Sequence, residues 1–315
     1  VLSRMYEVGM TGVRLNLSHG MLREHANWLY VASSAAKALG KPTKILIDLE
    51  GPELRIGDIS GYRTLKTDSH VIFGQRGIPV PEILLAQGKK GMRFLLDDGK
   101  MKVEILECNS SQMLAKVLRG GILKSRKSIT PEGTIIETPT LTAKDLENLK
   151  VAGQYGVTGV MLPFVRSDRD LLCLRQKLEE NHSGHIKIFA KIENMQGVEA
   201  LDTFFSLADE IVIARGDLGK AMPLWELPAV QKRIGAQCRR AGKPFMVVTQ
   251  MLDSMEHSPV PTRAEVSDIY NAVLEGASSL MLTGETAVGE YPAEAMEYLV
   301  KTAESGLRHK IVCEV

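Results

Sequence analysis

Lys191 and Glu193 form the first pair of residues whose types and spacing suggest chemistry. They stand two residues apart in the stretch HIKIFAKIENMQG, residues 185–197. Side chains alternate along a β-strand, so both lie on one face, opposite Ile186 and Ile188. Burying an unpaired ammonium or carboxylate group is costly. The pair therefore predicts a polar site at the end of a buried strand, where each charge has a partner.

Polar residues also end the other apolar runs of the sequence. They are Arg14, Asn16 and Ser18, which strand alternation places on one face of VRLNLSHG, Asp48 in ILIDLEG, Arg215 and Asp217 in VIARGDLG, Thr249 in VVTQM, and Thr283 and Glu285 in MLTGETA. In parallel barrels the active site lies at the carboxyl ends of the strands. One such residue alone is more often a satisfied buried polar group. Six strands that end in this way predict one shared site.

The predicted site combines carboxylates with lysine and arginine. Carboxylates held close together need a cation, and Mg²⁺ typically takes one or two carboxylates plus substrate oxygens. Glu193 and Asp217 are the candidate ligands. Lys191 and Arg14 would then face an anionic substrate.

The composition is that of an ordinary globular protein. The chain has 315 residues, of which 44% are hydrophobic and 24% charged, and its formal net charge is +1. This balance gives no reason to expect nucleic acid or a membrane as a partner. No apolar run approaches the roughly 18–20 residues that span a bilayer, and the start lacks a signal-peptide pattern. Four cysteines stand far apart, which predicts reduced thiols and a cytoplasmic protein: Cys108, Cys173, Cys238 and Cys313.

The order of the predicted elements indicates an α/β fold. Seven short apolar runs alternate with eight helical patterns, which is typical of βα units around a parallel sheet. The order fits a (β/α)₈ TIM barrel whose first strand is missing. Residues 58–139 break this rhythm, since they are strand-like and rich in turns, with LDDGK as a turn between two alternating runs. We therefore predict a barrel domain over 1–57 and 140–315, and a small all-β domain inserted over 58–139.

Several longer blocks of sequence follow one another from about residue 7 to about residue 304. They are GMTGVRLNLSHG, DLEGPELRIG, LDDGK, KIENMQG, ARGDLG, RAGKPFMVVTQMLDSM, PTRAEVSDIYNAVLEGA and LTGETAVGEYP. In this order they resemble the pyruvate kinase family. The resemblance implies a TIM barrel with a β-barrel lid inserted after the third barrel strand. It also implies phosphoryl transfer from phosphoenolpyruvate to ADP, in a homo-oligomer.

The resemblance assigns a role to each residue that matches a family motif. Glu193 and Asp217 match the ligands of Mg²⁺ (or Mn²⁺). The K⁺ ligands correspond to Asn16, Ser18, Asp48 and the carbonyl of Leu49. Lys191, Thr249 and Arg14 match catalytic positions, and the amides of Arg215, Gly216 and Asp217 match the group that binds the substrate carboxylate, beside Lys191 and Thr249. Arg14 and Arg55 match phosphate-binding arginines, and nucleotide binding is implied for Arg55, Asn16, His19 and Lys127.

The sequence departs from the family pattern at several positions. Leu49 and Glu50 replace a threonine and a lysine, and Val288 stands where a lysine is usual. In the insert, Arg126 and Lys127 provide the basic residues expected near a nucleotide, but SITPEG replaces the usual block that follows. The sequence also lacks the family's first strand and its C-terminal regulatory domain. These changes predict a weaker or altered nucleotide preference, whereas Glu53, which K⁺-dependent members carry, predicts K⁺ dependence.

Two other interpretations remain open at this point. A related Mg²⁺–enolate lyase or aldolase would also pair a glutamate with an aspartate, but it would need neither Lys191 nor a lid. A catalytically weak paralogue that binds phosphoenolpyruvate would explain Leu49, Glu50 and Val288.

Overall fold

The computed structural model describes residues 1–97, 99–133 and 136–313, with the backbone alone for 310–313. Within these residues the chain divides into two compact units. The first unit is Val1–Gly51 with Thr140–Val315, and the second is Pro52–Pro139. Each unit has its own hydrophobic core.

The strands of both units are numbered here in chain order. They are β1 (Gly12–Asn16), β2 (Lys44–Asp48), β3 (Tyr62–Leu65), β4 (His70–Gly74), β5 (Arg93–Leu96), β6 (Met101–Cys108), β7 (Gln112–Arg119), β8 (Gly121–Lys124), β9 (Ile129–Glu132), β10 (Gly159–Leu162), β11 (Lys187–Ile192), β12 (Glu210–Ala214), β13 (Phe245–Val248) and β14 (Ser279–Met281).

The helices are numbered in the same way. They are α1 (Leu2–Val8), α2 (Ala26–Ala38), α3 (Glu82–Gln87), α4 (Ala143–Val151), α5 (Asp168–Glu180), α6 (Met195–Glu199), α7 (Arg215–Leu218), α8 (Leu227–Arg240), α9 (Arg263–Leu274), α10 (Gly284–Ala287) and α11 (Pro292–Cys313). Side-chain caps help to define where several of them begin. Thr142 and Thr262, for example, each accept a hydrogen bond from the backbone three residues further on, which satisfies an otherwise free N–H of the first turn.

The first unit is built on one parallel sheet of seven strands, in the order β1-β2-β10-β11-β12-β13-β14. Helices connect successive strands, as parallel pairing requires. The insert enters after β2, and β10 pairs directly with β2. This arrangement confirms the predicted α/β class and its seven visible parallel strands.

The two faces of this sheet are covered by different residues. Ile45, Ile47 and Ile188 belong to the large core beneath the helices. A second, smaller cluster alternates with them along the strands and contains Leu46, Met161, Phe189, Val212, Ala214, Met246 and Val248. Because both faces are apolar over most of their length, the strands read as continuous hydrophobic runs. Apart from Arg14 in the middle of β1, the polar side chains of this sheet lie at or next to strand ends.

The second unit contains a five-stranded antiparallel sheet, in the order β4-β7-β6-β5-β9, and a two-stranded ribbon of β3 and β8. LDDGK forms the predicted turn between β5 and β6, although its Asp98 lies outside the described residues. The prediction of an all-β insert is wrong in one respect, because α3 is helical. Six residues span less than two turns, too few for a helical period to show in the sequence.

Candidate functional site

Asp48 is the centre of a charged network at the carboxyl ends of three strands. It is buried, and it ends β2. Arg14 on β1 donates to Oδ2 of Asp48, from Nε at 3.1 Å and also from Nη2. Lys191 Nζ, on β11, lies 3.1 Å from both carboxylate oxygens. One carboxylate therefore holds the two cations that the sequence predicted to face a substrate.

Glu193 extends this network beyond the end of β11. Its Oε1 atom lies 2.9 Å from Lys191 Nζ, while Oε2 accepts a hydrogen bond of 2.8 Å from the amide of Phe164. Oε1 is buried, and the ion pair lacks the geometry of a hydrogen bond. Lys191 and Phe189 share one face of β11 while Ile188 and Ala190 share the other, as the alternation predicted. A buried oxygen of this kind fits a metal ligand.

The pKa values in the network are shifted by burial and by neighbouring charges. Burial disfavours ionised Asp48, but the cations Lys191 and Arg14 outweigh it and lower the pKa of Asp48. Burial also opposes the charged amine of Lys191, yet Asp48 and Glu193 outweigh it and raise its pKa. Burial raises the pKa of Glu193 to about 7, against the pull of Lys191 and with help from Asp217. Lys191 is therefore a permanent cation at neutral pH.

Asp217 lies on α7, directly after β12, and its carboxylate points to a different partner. Its Oδ1 accepts from Lys220 Nζ at 2.8 Å. Asp217 acts on Glu193 through its charge, which helps to raise the pKa of the glutamate. Within the described residues, no group of three or more histidine, cysteine, aspartate or glutamate side chains could hold a metal. A pair of carboxylates completed by substrate oxygens is nevertheless usual for Mg²⁺.

Arg215 and Thr249 meet where β12 and β13 end. Arg215 directs its guanidinium to the carbonyl of Thr249, at 2.7 Å from Nη2, and to Asp268, at 2.6 Å from Nη1. Only the backbone of Arg215 thus remains for a ligand. Gly216 packs against the same threonine, because a Cβ there would lie 2.9 Å from Thr249 Cγ2. Thr249 itself has φ +79, a strained conformation for a β-branched residue.

The loop after β1 carries three further predicted residues. Asn16 ends the strand, whereas Ser18 and the exposed His19 belong to a short 3₁₀ helix, Leu17–His19. The expectation that Ser18 continues the strand alternation of Arg14 and Asn16 is therefore wrong, since the strand stops before it. Asn16 Oδ1 accepts from the amide of Ser18 at 3.1 Å. Asn16 and Ser18 carry side-chain oxygens, a kind of ligand that suits a hard cation.

Leu49 and Glu50 form the corresponding loop after β2. Leu49 is buried in the large core, which explains how an apolar side chain is accommodated where the family has threonine. The amide of Glu50 donates to Asp145 at 2.8 Å, and its carboxylate lies 3.9 Å from Lys144 Nζ. The negative charge that Glu50 introduces in place of a lysine is thus partly balanced. Val288 is 75% exposed, so the position where the family has lysine faces solvent.

The remaining predicted residues belong to the second unit. Arg55 pairs with Glu53 at 2.6 Å and donates to the carbonyl of Arg126. Lys127 pairs with Asp97 at 2.8 Å. Both cations are therefore held by partners within their own unit.

Some of the residues that hold the site were missed by sequence reasoning. Asp145, Lys144 and Asn148 on α4 bind the loops after β1 and β2. Polar residues within a helical pattern indicate an ordinary solvated face, so the sequence carries no signal for this role. Glu285, in contrast, was grouped with the site but is occupied elsewhere. It is buried and accepts hydrogen bonds from the amides of Leu252 and Thr283.

A parallel α/β sheet with charged residues at its carboxyl ends is the arrangement typical of α/β-barrel enzymes. Comparison with known proteins gives the family. The family model described as "Pyruvate kinase, barrel domain" matches residues 1–296. The chain belongs to the pyruvate kinase family.

The relatives that this chain resembles are longer proteins. Pyruvate kinase of Bacillus licheniformis is 38% identical over an alignment that covers 98% of this chain and 55% of the relative. Pyruvate kinase of Geobacillus stearothermophilus is 37% identical with the same coverage. A pyruvate kinase of Agrobacterium vitis is 37% identical and covered over 66% of its length. The chain thus spans between about half and two thirds of these relatives.

No helix in the described part of the chain is both long enough and apolar enough to cross a membrane.

Proposed function

We propose that this chain is the catalytic part of a pyruvate kinase, which transfers the phosphoryl group of phosphoenolpyruvate to ADP and yields pyruvate and ATP. The observation that carries the proposal is the buried network of Arg14, Asp48, Lys191 and Glu193. In this network the cations of Arg14 and Lys191 are both fixed by the carboxylate of Asp48, near the carboxyl ends of β1, β2 and β11. Family membership supports the same reaction.

Lys191 and Arg14 act on the transferring group. Phosphoryl transfer demands mainly positioning and the neutralisation of charge spread over the phosphoryl oxygens. Lys191 is suited to this because its carboxylate neighbours keep it charged and fixed. Arg14 is held by the same Asp48, so both cations are oriented before a substrate arrives and little reorganisation is needed.

The backbone of Arg215, Gly216 and Asp217 binds the substrate carboxylate. The contacts of the Arg215 side chain with Thr249 and Asp268 turn it away from this role and fix the backbone instead. Thr249 orients the group that protonates the enolate, because its side chain lies against Gly216, part of the backbone proposed to bind the substrate carboxylate. Such a donor must lie within hydrogen-bond reach of the carbon that accepts the proton.

Two cations complete the proposed site. Glu193 and Asp217 would hold Mg²⁺ (or Mn²⁺), and Asn16, Ser18, Asp48 and the carbonyl of Leu49 would hold K⁺. The buried Oε1 of Glu193 and the oxygen-rich donor set support these assignments. When bound, the cations supply positive charge that neutralises the phosphate oxygens.

The other assignments stay predictions. They are the nucleotide-binding roles of Arg55, Asn16, His19 and Lys127, a lid function for residues 58–139 beside a barrel of 1–57 and 140–315, and a cytoplasmic homo-oligomer. A lyase or aldolase is not favoured, because its relatives would not be pyruvate kinases.

Replacing Lys191 with methionine tests the proposal. We expect Lys191→Met to lower kcat for pyruvate formation by about 10³-fold or more, because a charge that stabilises the transition state is lost. Pyruvate from phosphoenolpyruvate and ADP is measured with a coupled assay, and Mn²⁺ binding by electron paramagnetic resonance should persist.

Lys187→Met is the matched control, since Lys187 begins the same strand and is exposed. Its activity should equal that of the unmodified protein. An unmodified protein that forms no pyruvate in the presence of both Mg²⁺ and K⁺ would leave the weak paralogue as the better interpretation.

Glu53 makes K⁺ dependence a separate prediction. We expect activity to fall several-fold when Na⁺ replaces K⁺, and Glu53→Lys to reduce that difference, because the resemblance implies that K⁺-independent members carry lysine there. Initial rates in matched KCl and NaCl buffers measure it. Equal rates in both buffers would show the prediction to be wrong.

A further inference from the structure

The amino-terminal turns of α4 contact two loops at once. Lys144 Nζ donates to the carbonyl of Ser18 at 3.1 Å. The next residue, Asp145, accepts from the amides of Glu50 at 2.8 Å and Gly51 at 3.1 Å. One helix therefore holds the loop after β1 through Lys144 and the loop after β2 through Asp145.

These contacts are built into the core rather than scattered on the surface. Asp145 is fully buried, and its Oδ2 atom also accepts from the amide and the hydroxyl of Thr142, each at 2.9 Å. One turn further on, the buried Asn148 accepts from the amide of Leu22 at 2.8 Å. Its Nδ2 atom is buried without a hydrogen bond within the described structure.

The two loops carry the residues proposed to bind K⁺. Ser18 lies between a hydrogen bond to Asn16 at its amide and one from Lys144 at its carbonyl. In the other loop Glu50 directly follows Leu49, whose carbonyl is a proposed ligand. The spacing between the two halves of the donor set is thus fixed by adjacent residues of one rigid helix.

Charge adds to the contact made by Lys144. The carboxylate of Glu50 lies 3.9 Å from its ammonium group, and both side chains are only about one third exposed or less (26% and 32%). Most exposed ion pairs contribute little, but this pair joins α4 to the very loop that Asp145 already holds. Lys144 therefore bridges the two loops directly, through Ser18 on one side and Glu50 on the other.

From these contacts we infer that Lys144 is a positioning residue that sets the selectivity of the site for K⁺ over Na⁺. The inference rests on the proposed function, because it takes over the K⁺ ligands assigned there. Selectivity between hard cations depends on the size of the cavity and on the number and rigidity of its oxygen ligands. Without Lys144 the carbonyl of Ser18 loses its contact with α4. The donor set can then contract around the smaller ion, even though Asn148 still holds the same loop further on, at Leu22.

The test compares Lys144→Met with Lys150→Met. Lys150 belongs to the same helix but pairs with Glu147 on the exposed surface. Binding of Tl⁺, used as a probe for K⁺, is followed by thallium NMR on the Mg²⁺-loaded protein without phosphoenolpyruvate or ADP, with KCl and NaCl as competitors. We expect Lys144→Met to weaken K⁺ binding by about tenfold, as other changes behind metal ligands do. The ratio of K⁺ to Na⁺ affinity should fall as well.

Lys150→Met should bind both ions like the unmodified protein, and Lys144→Arg should restore most of the selectivity because it keeps the cationic donor. A Lys144→Met protein that unfolds at a lower temperature but keeps its K⁺ to Na⁺ ratio would overturn the inference, since its role would then be structural alone. Failure of the unmodified protein to bind K⁺ in preference to Na⁺ would overturn it too.

The two proposals fail in distinguishable ways. If the unmodified protein forms pyruvate while Lys144→Met keeps full selectivity, the positioning role is wrong and the enzyme assignment stands. If selectivity is present and is lost in Lys144→Met, but no pyruvate forms, the inference stands and the enzyme assignment is wrong.

Discussion

Asp48 is the residue on which the charges of the site depend. It is buried and accepts hydrogen bonds from both Arg14 and Lys191. Removing one partner of a buried ion pair leaves the other charge buried and uncompensated. This lowers the stability of the protein more than replacing both partners with apolar residues would. The stability of the unit and the orientation of the two cations are therefore coupled at a single side chain.

Asp48→Asn should for this reason destabilise the protein strongly. We expect the free energy of unfolding to fall by about 3 kcal/mol at pH 7, because Arg14 and Lys191 lose the charge that offsets their burial. Urea denaturation followed by circular dichroism measures the change.

The same substitution at Asp58 serves as the control. Asp58 pairs with Arg126, but both side chains are largely exposed, and such exposed pairs contribute little to stability. Equal losses for Asp48→Asn and Asp58→Asn would contradict the central role of Asp48.

At this scale the sequence predicts the charged residues that meet in the site better than the residues that support them. Lys191 and Glu193 could be paired from strand alternation alone, and Arg14 was expected at the same site. The supporting role of Asp145 and Asn148 could not be predicted, because a polar residue within a helical pattern usually faces solvent. Their role arises from which loop ends beside α4, and this depends on contacts between residues far apart in sequence.

Among the elements, α5 shows how a helix start depends on ionisation. Asp170, three residues after Ser167, accepts from the amides of Arg166 at 2.9 Å and Ser167 at 3.2 Å, and from the hydroxyl of Thr140 at 2.5 Å. The guanidinium of Arg166 also donates to Asp170, at 2.9 Å from Nη2. Burial opposes ionisation here, but the hydrogen bonds from this guanidinium and from the Thr140 hydroxyl outweigh it and lower the pKa of Asp170 below its ordinary value of 3.8.

A lowered pKa in the folded state gives stability that is present above pH 3.8 and is lost as the pH falls through the folded-state pKa. We therefore expect Asp170→Asn to lower the free energy of unfolding by about 1–3 kcal/mol at pH 7 and to make less difference towards pH 2. Urea denaturation at pH 7, 4 and 2 measures both effects.

Asp168→Asn is the control for this prediction, since Asp168 belongs to the first turn of the same helix and its contact with the Arg169 amide is exposed. A cost for Asp170→Asn that stays constant down to pH 2 would show that ionisation of Asp170 is not the cause.

The ends of elements were harder to predict than their presence. The parallel strands and the long helices carry strong periodicity, and all of them lie where the sequence places them. The position of Ser18 was predicted wrongly because β1 ends at Asn16 and a 3₁₀ helix begins at Leu17. No residue in this stretch is a recognisable signal for the end of a strand. The helix α3 was missed because it is shorter than two turns.

For the whole molecule, the separate cores of the two units predict that a destabilising substitution in one core affects mainly the unit that contains it. Phe94 is buried in the core of the second unit. We expect Phe94→Ala to cost about 3–5 kcal/mol and to speed hydrogen exchange in β5, β6 and β7, while amides of β11 and β12 keep their protection. Exchange detected by mass spectrometry measures this.

Leu171→Ala, in the core of the first unit, provides the reciprocal control and should expose amides of the parallel sheet instead. Equal loss of protection in both units for either variant would mean that they unfold as one cooperative body.

The pairing of β2 with β10 has a consequence for how the chain acquires its structure. Ile45 donates to the hydroxyl of Thr158, 113 residues further along, so the parallel sheet cannot be joined at this seam until the whole insert has left the ribosome. Contacts between such distant segments slow folding, because a long loop must close first. An insert that collapses early on its own local hairpins shortens that loop, so the speed with which the parallel sheet forms depends on residues that contribute nothing to it.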